Sequence, residues 1–456
     1  MSLFIKDKQF YKKAAGIALP IALQGLITNG VNIMDTVMVG TLGETELSAV
    51  SLANQFINIF HIFCMGIGMG ASVLVARYYG MRDRGSLKKT VSIMLRLCLG
   101  LSLLFSVVTA LIPALIMKIY TVEANIITLG TRYLIYSVAS YALLGLSLTS
   151  TIVLRNVGQV RLPLYTSVAA FFVNVGANYV FIFGKLGLPA MDVAGAALGT
   201  LVARIFEFAV ICGYLFFKDR EIGFRIKDLF APVGALWREY IRISIPVLIS
   251  DGILALGNNS VAMVIGRLGE SFVAANAVTA VTQQLSSVVT SGFSQAGAIV
   301  TGHTLGQGDK QKAKEQGYAF LGLGLVFGLV AAGIILLVSE PMIAFYNLSP
   351  ETAGIARQLM LSIAIIVVFQ ATNSIMTKGV LRCGGDTKVL MLADNIFLWV
   401  AALPLGIIAG LWLHLPAFWI YFALKSDQVL KAVWCVIRLR GGKWIKKIRT
   451  EKELNA

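Results

Sequence analysis

Charge is scarce in this 456-residue chain: Asp, Glu, Lys and Arg make up 14% of it, against about 25% in an ordinary soluble domain. Acidic residues are the scarcer sign, 23 against 39 basic ones. With 57% hydrophobic residues and a mean hydropathy of +0.79, that shortage excludes a water-soluble globular protein and defines an integral membrane protein. Histidine is nearly missing. His61, His303 and His414 stand far apart, with no nucleophile–base or zinc spacing, so a membrane-embedded enzyme is disfavoured. The five cysteines, Cys64, Cys98, Cys212, Cys383 and Cys435, lie in or beside apolar runs without paired spacing and read as small buried hydrophobes, not a disulfide framework or metal knuckle. A phosphate loop is lacking too. "GIGMG", Gly66 to Gly70, sits inside an apolar run with no strand before it, so helix packing accounts for it better and ATP-driven transport within this chain is disfavoured.

The apolar runs exceed the roughly 20 residues that cross a bilayer as helix and lack the alternation of barrel strands. Twelve helices are expected, at 14–40, 48–79, 90–119, 126–154, 162–184, 193–217, 240–266, 272–304, 316–345, 354–381, 387–412 and 416–438. The first follows a basic start but is too long for a signal peptide, so it is expected to be retained as a span. Positive charge is distributed rather than gathered in a nucleic-acid patch. Lys6, Lys8, Lys12 and Lys13 precede the first span. Arg77, Arg82, Arg84, Lys88 and Lys89 fall in the second connection, Lys218, Arg220, Arg225, Lys227 and Arg238 in the sixth, Lys310, Lys312 and Lys314 in the eighth. Arg438 to Arg449 close the chain, while intervening connections such as "TLGETEL" are poor in it. That alternation places both termini in the cytoplasm, of a plasma (inner) membrane protein.

The chain is doubled. At an offset of 246 − 20 = 226, Pro20 pairs with Pro246, Asn32 with Asn258, Gly40 with Gly266, Gly43 with Gly269, Glu44 with Glu270, Gly80 with Gly306, Asp83 with Asp309 and Lys88 with Lys314. "LRNVG" at 154–158 and "LRCGG" at 381–385 align at 381 − 154 = 227. Two copies of six spans enter the bilayer from the same side, so a pseudo-twofold axis runs along the membrane normal. The expected division is an N-terminal lobe 1–217, a cytoplasmic linker 218–239, a C-terminal lobe 240–440 and a basic tail 441–456. Within the repeat, "NIMDTVMVGTLGE" at 32–44 carries Asp35, where "NNSVAMVIGRLGE" at 258–270 has Val261.

The proline-led first span, the "VGTLGE" and "IGRLGE" exits, the "RYYGMRDRGSLKK" and "TLGQGDKQKAKE" connections and the paired Leu-Arg-x-x-Gly turns resemble the multidrug and toxic compound extrusion (MATE) family, over essentially all twelve spans. The resemblance implies an all-α, V-shaped exporter of two six-helix lobes around a central cleft. It would exchange cationic or amphipathic drugs for protons or sodium ions, without a cofactor and as a monomer in the lipid bilayer. Nucleic acid is not an expected partner.

Asp35 is the leading candidate for the ion. A carboxylate at mid-membrane costs about 2.5 to 3.5 kcal/mol on insertion scales, and such residues face interiors or wet cavities and serve ion and proton paths. Similar proteins gather it with groups from the fifth and sixth spans, which here implies Asn174, Asn178 and Thr200. These oxygens suit a proton or a hard cation, with sodium at Asp35 as the one metal worth naming. Some relatives carry an aspartate where Asn178 stands, which leaves one carboxylate fewer. Pro20 implies a kink-prone first span, as does its copy Pro246. Glu207, three residues after Arg204, reads as an ion pair. Asp251, Asp394, Asn32, Asn258 and Gln370 are secondary acids or substrate contacts to be placed. Another branch of the family uses a glutamate in the seventh span and an aspartate in the tenth. Leu254 and Gln370 stand near those places here, so the pattern is that of the DNA-damage-inducible F-like branch, with the ion in the N-terminal lobe. A flippase of lipid-linked saccharides is the nearest alternative, and would need several cations for pyrophosphate.

Overall fold

The computed structural model describes residues 5, 7–346 and 348–455, with all regular elements in that range helical. In chain order they are α1 (Lys8–Gly40), α2 (Glu44–Met81), α3 (Arg84–Leu111), α4 (Pro113–Tyr120), α5 (Ala124–Ser137), α6 (Ser140–Asn156), α7 (Arg161–Phe183) and α8 (Asp192–Gly213). The second half follows with α9 (Leu236–Gly266), α10 (Glu270–Gly306), α11 (Lys310–Phe345), α12 (Pro350–Ser374), α13 (Thr387–Ile396), α14 (Leu403–Ile407), α15 (Ala417–Leu424), α16 (Ser426–Gly441) and α17 (Glu451–Asn455). Among the described residues nine helices, counted with their π-helical continuations, are long and apolar enough to cross a membrane, and α5 with α6 makes a tenth. α10, which carries Thr282, Gln283, Gln284 and Thr290 along its middle, and the α15–α16 pair complete twelve rods.

Three expected helices are interrupted. The third span breaks at Ile112, because Pro113 lacks an N–H and disfavours helical backbone in the residue before it; Ile112 lies at φ −132°. The fourth bends by 57° at Val138–Ala139 without proline or glycine. There Ser140 Oγ donates to the Ser137 carbonyl at 2.6 Å and Ser106 Oγ to the Val138 carbonyl at 3.1 Å, so hydroxyls take carbonyls the helical ladder would use. The twelfth breaks at Lys425.

The repeat holds in backbone detail. Gly43 and Gly269 both have positive φ, as do Gly158 (86°) and Gly385 (87°), so both copies turn through a conformation that glycine tolerates best. Asp83 caps α3 by accepting from the Ser86 N–H at 3.1 Å, and Asp309 caps α11 by accepting from the Lys312 N–H at 2.9 Å.

Packing divides the chain into two units. The unit of Leu23–Val75, Asp83–Ile241 and Thr450–Ala456 contains Asp35, and that of Met1–Ala22, Ala76–Arg82 and Arg242–Arg449 contains Asp394. In the Asp35 unit Val39, Ala49, Ala53, Met117, Leu134 and Ile182 form one buried cluster, and Phe60, Cys98 and Tyr141 another. Its linker is fastened inside the unit: Lys88 pairs with Asp228 at 3.1 Å, and Asp228 also accepts the Arg225 N–H at 2.9 Å. In the Asp394 unit Ile265, Ile335, Leu359, Ile363, Leu398 and Leu424 are the core. All five cysteines are buried and free.

Two alanine substitutions separate backbone strain from packing. A Cβ on Gly158 or on Gly16 meets no atom within 4 Å, but Gly158 is left-handed and Gly16 is helical. Gly158→Ala is expected to cost about 1 to 2 kcal/mol, and Gly16→Ala to be neutral or stabilising by up to about 1 kcal/mol. Thermal unfolding in detergent, read as melting temperatures against the parent, checks both signs.

Candidate functional site

The site grows from a close helix pair. Along "DVAGAALGTLVAR" small residues recur every four positions at Gly195, Gly199 and Ala203, a stripe that lets another backbone approach. α7 takes that place. A Cβ on Gly195 would strike the Phe181 carbonyl, and one on Gly199 would strike the Asn178 side chain and lie 2.9 Å from its backbone nitrogen. Asn174 and Asn178, one turn apart on α7, are therefore fully enclosed, at 2% and 0% exposure.

Asn178 spends its amide on two oxygens. Nδ2 donates to Asp35 Oδ1 at 2.6 Å and, at the limit of hydrogen-bond length, to Asn174 Oδ1 at 3.5 Å. Its own Oδ1 is buried without a partner. Asp35 is half-buried on α1, and the pocket before it is lined by Thr28, Asn32, Asp35, Ser167, Asn174, Thr200, Arg204 and Glu207 with apolar neighbours. The pocket offers about 60 Å³ to water-sized contents. One water needs roughly 10 to 15 Å³ on that measure and drug pockets run from about 300 Å³ upward, so this space suits an ion or a few waters and is too small for a drug. Tyr133 and Arg204 lie within electrostatic reach of Asp35.

The structure thus brings Asp35, Asn174, Asn178, Thr200, Asn32 and Glu207 to one pocket. Glu207 is paired with Arg204 at 2.6 Å, and both line the pocket. Pro20 lies within an α1 that runs unbroken from Lys8 to Gly40, two residues before the division between the packing units at Ala22–Leu23. The remaining candidates lie in the Asp394 unit. Asp251 pairs with Arg382 at 3.2 Å; Asp394 lies 3.7 Å from Lys431, which holds Asp427 at 3.0 Å; Gln370 accepts from Gln283; and Asn258 is exposed.

The two copies treat one bond differently. Arg155 Nη2 donates to Gln24 Oε1, and Arg382 Nη2 to Asp251 Oδ1. The arginines are equivalent in the repeat, 382 − 155 = 227, whereas their acceptors are one residue out of register, since at the 226 offset of the first helices Gln24 matches Ser250, the neighbour of Asp251. An arginine of the Leu-Arg-x-x-Gly turn anchors the first helix just past its proline in both copies, with a neutral acceptor in one and an acid in the other. Gln24 also donates to Ser167 Oγ at 2.8 Å, which carries the anchor to the edge of the Asp35 pocket. Sequence reading missed Gly199, Ser167 and Tyr133 as parts of the site. The small-residue spacing from Gly195 was the one available signal.

A doubled helical membrane protein with a buried polar pocket inside one copy is a carrier in architecture, and the comparisons assign the family. The MatE family model matches residues 20–180 and 246–408, the two matches opening on Pro20 and Pro246. The chain belongs to the MatE family of multi-pass membrane transporters. It is 25% identical over 445 residues to the probable multidrug resistance protein NorM of Thermotoga maritima, covering 97% of this chain and 95% of that one. It is 24% identical over 445 residues to the multidrug resistance protein MdtK of Yersinia pseudotuberculosis, covering 94% of each. In fold it is similar to the Vibrio cholerae MATE transporter VcmN in its bent form, with TM-score 0.86 at 15% identity over 95% of this chain and 97% of that one. It is also similar to a MOP superfamily transporter from Pyrococcus furiosus, with TM-score 0.83 at 20% identity over 96% of this chain and 99% of that one.

Gly199→Ala tests the helix pair. The added methyl has to displace Asn178, and overpacking of this kind costs about 1 to 3 kcal/mol. A lower melting temperature is expected, whereas Gly176→Ala on α7, where a Cβ meets nothing within 4 Å, should be neutral or slightly stabilising.

Proposed function

We propose that this transporter is a secondary active multidrug exporter that antiports cationic or amphipathic compounds against protons, with Asp35 as the residue that takes up the coupling ion. The observation that carries the reading is the hydrogen bond from Asn178 to Asp35 inside a pocket of ionic size. Export of drugs is supported by the names of the NorM and MdtK relatives. Proton is favoured over sodium by the donors around the carboxylate. Asn178 Nδ2 already occupies Oδ1, and a guanidinium lines the same pocket, whereas a bare hard cation needs about six oxygens.

The doubled architecture supports alternating access as the route, with each ligand biasing one equilibrium by its differential affinity for the two arrangements. A proton falling through 100 mV gains about 2.3 kcal/mol, and each pH unit adds about 1.4 kcal/mol. The reading takes the transporter as a monomer of the plasma (inner) membrane with both termini cytoplasmic, the orientation being supported by the charge alternation of its connections. A saccharide flippase is less well supported, since Arg382 and Lys431 are already engaged by Asp251 and Asp427.

Efflux of a fluorescent cation from proteoliposomes, with pH and sodium gradients imposed separately, tests the coupling. Dependence on the pH gradient is expected, and equilibration indifferent to both gradients would sink antiport. Asp35→Asn should retain expression and melting temperature but lose coupled efflux by at least tenfold. Full activity in that variant moves the ion elsewhere.

A further inference from the structure

The pocket holds more charge than one coupling ion needs. Asp35 and Glu207 are both acids, and Arg204, three residues before Glu207 on α8, lines the same space. Arginine cannot shed its charge in a protein, and an unpaired guanidinium at this depth is costly. Its present partner is Glu207, with Nη1 to Oε2 at 2.6 Å and side chains 30% and 20% exposed. Asp35 is the other acid lining that pocket, and it lies within the guanidinium's electrostatic reach. Two carboxylates and one guanidinium leave a single negative charge to be balanced.

We propose that Glu207 is a working part of the ion site: by holding Arg204 it keeps the guanidinium off Asp35, so the pocket exposes one exchangeable carboxylate and loads one proton per transport cycle. This rests on the reading of Asp35 as the ion residue and adds its stoichiometry. Glu207 acts through Arg204 and is a positioning residue. The charged and titratable groups around Asp35 are Arg204 and Glu207 from α8 and Tyr133 from α5, with His61 of α2 in reach of Arg204. α7 contributes the neutral Asn174 and Asn178, and α1 itself the neutral Asn32. Arg204 is thus the cation set beside Asp35, and its choice of partner decides how readily Asp35 accepts a proton.

The test is the pH dependence of drug efflux in proteoliposomes, read as midpoint and steepness, for the parent protein and five variants. In Glu207→Gln the released Arg204 turns to Asp35 and holds it ionised, so the midpoint should fall by about 1 to 3 pH units. In Arg204→Gln two unpaired acids remain, so steepness should rise from about one proton toward two and the midpoint should move up. The double variant Glu207→Gln with Arg204→Gln restores a single carboxylate, with a steepness of one and a midpoint above that of Glu207→Gln. Arg204→Lys retains one cation between the two acids and should keep a steepness of about one, whatever its midpoint; with the double variant it carries the test if either single neutral variant fails to accumulate. A Glu207→Gln midpoint equal to the parent's, a steepness of one in Arg204→Gln, or a double variant as shifted as Glu207→Gln would overturn the proposal. Asp35→Asn in the same assay separates the two levels. Coupled efflux there defeats the Asp35 reading itself, while uncoupled efflux beside an unshifted Glu207→Gln defeats only the role of Glu207.

Discussion

Everything at the polar centre of the Asp35 unit depends on one amide that has no room to turn. Asn178 is packed against the backbone of α8 where Gly199 supplies no side chain, and that enclosure aims its NH₂ at Asp35. In lipid a stray carboxylate is expensive, so a carboxylate that must remain exchangeable needs a donor that is fixed but neutral. An amide meets that need, since it steadies the charged form without cancelling it. The small-residue stripe on α8 is in that sense part of the ion site, although none of its residues carries a polar side chain.

The two copies of the repeat show how the same frame serves two purposes. Both keep the arginine that reaches the first helix past its proline. In one copy the acid is the acceptor of that arginine, at Asp251, and is thereby neutralised where it stands. In the other the acceptor is Gln24, and Asp35, further along the same helix, lies against an amide. The difference between an anchor and a site is thus whether the nearest donor is permanently charged. Lys431 between Asp427 and Asp394 follows the anchoring pattern.

Much of this was legible in the residues. The 226-residue offset announced the doubling, and the matched glycines share positive φ while the matched aspartates cap their helices alike. Asp35 stood out because Val261 replaces it in the second copy, and Arg204 with Glu207 because i, i+3 spacing on a helix puts two side chains on one face. What stayed hidden depends on contacts far apart in the chain. The break at Ile112 could have been read from Pro113, but the bend at Val138 comes from Ser106 and Ser140, which no local pattern marks. That Glu207 shares a pocket with Asp35 required α1 and α8 to be placed together, 172 residues apart by 207 − 35.

The division between the packing units falls inside helices rather than between the copies. α1 begins in the Asp394 unit and continues in the Asp35 unit from Leu23, while α9 begins in the Asp35 unit, where Tyr240 donates to the Ile67 carbonyl at 2.9 Å, and continues in the other from Arg242. Each copy starts its first helix in the unit that the opposite copy completes. A cut between the two copies would therefore leave the start of each leading helix in the unit built mainly by the other copy.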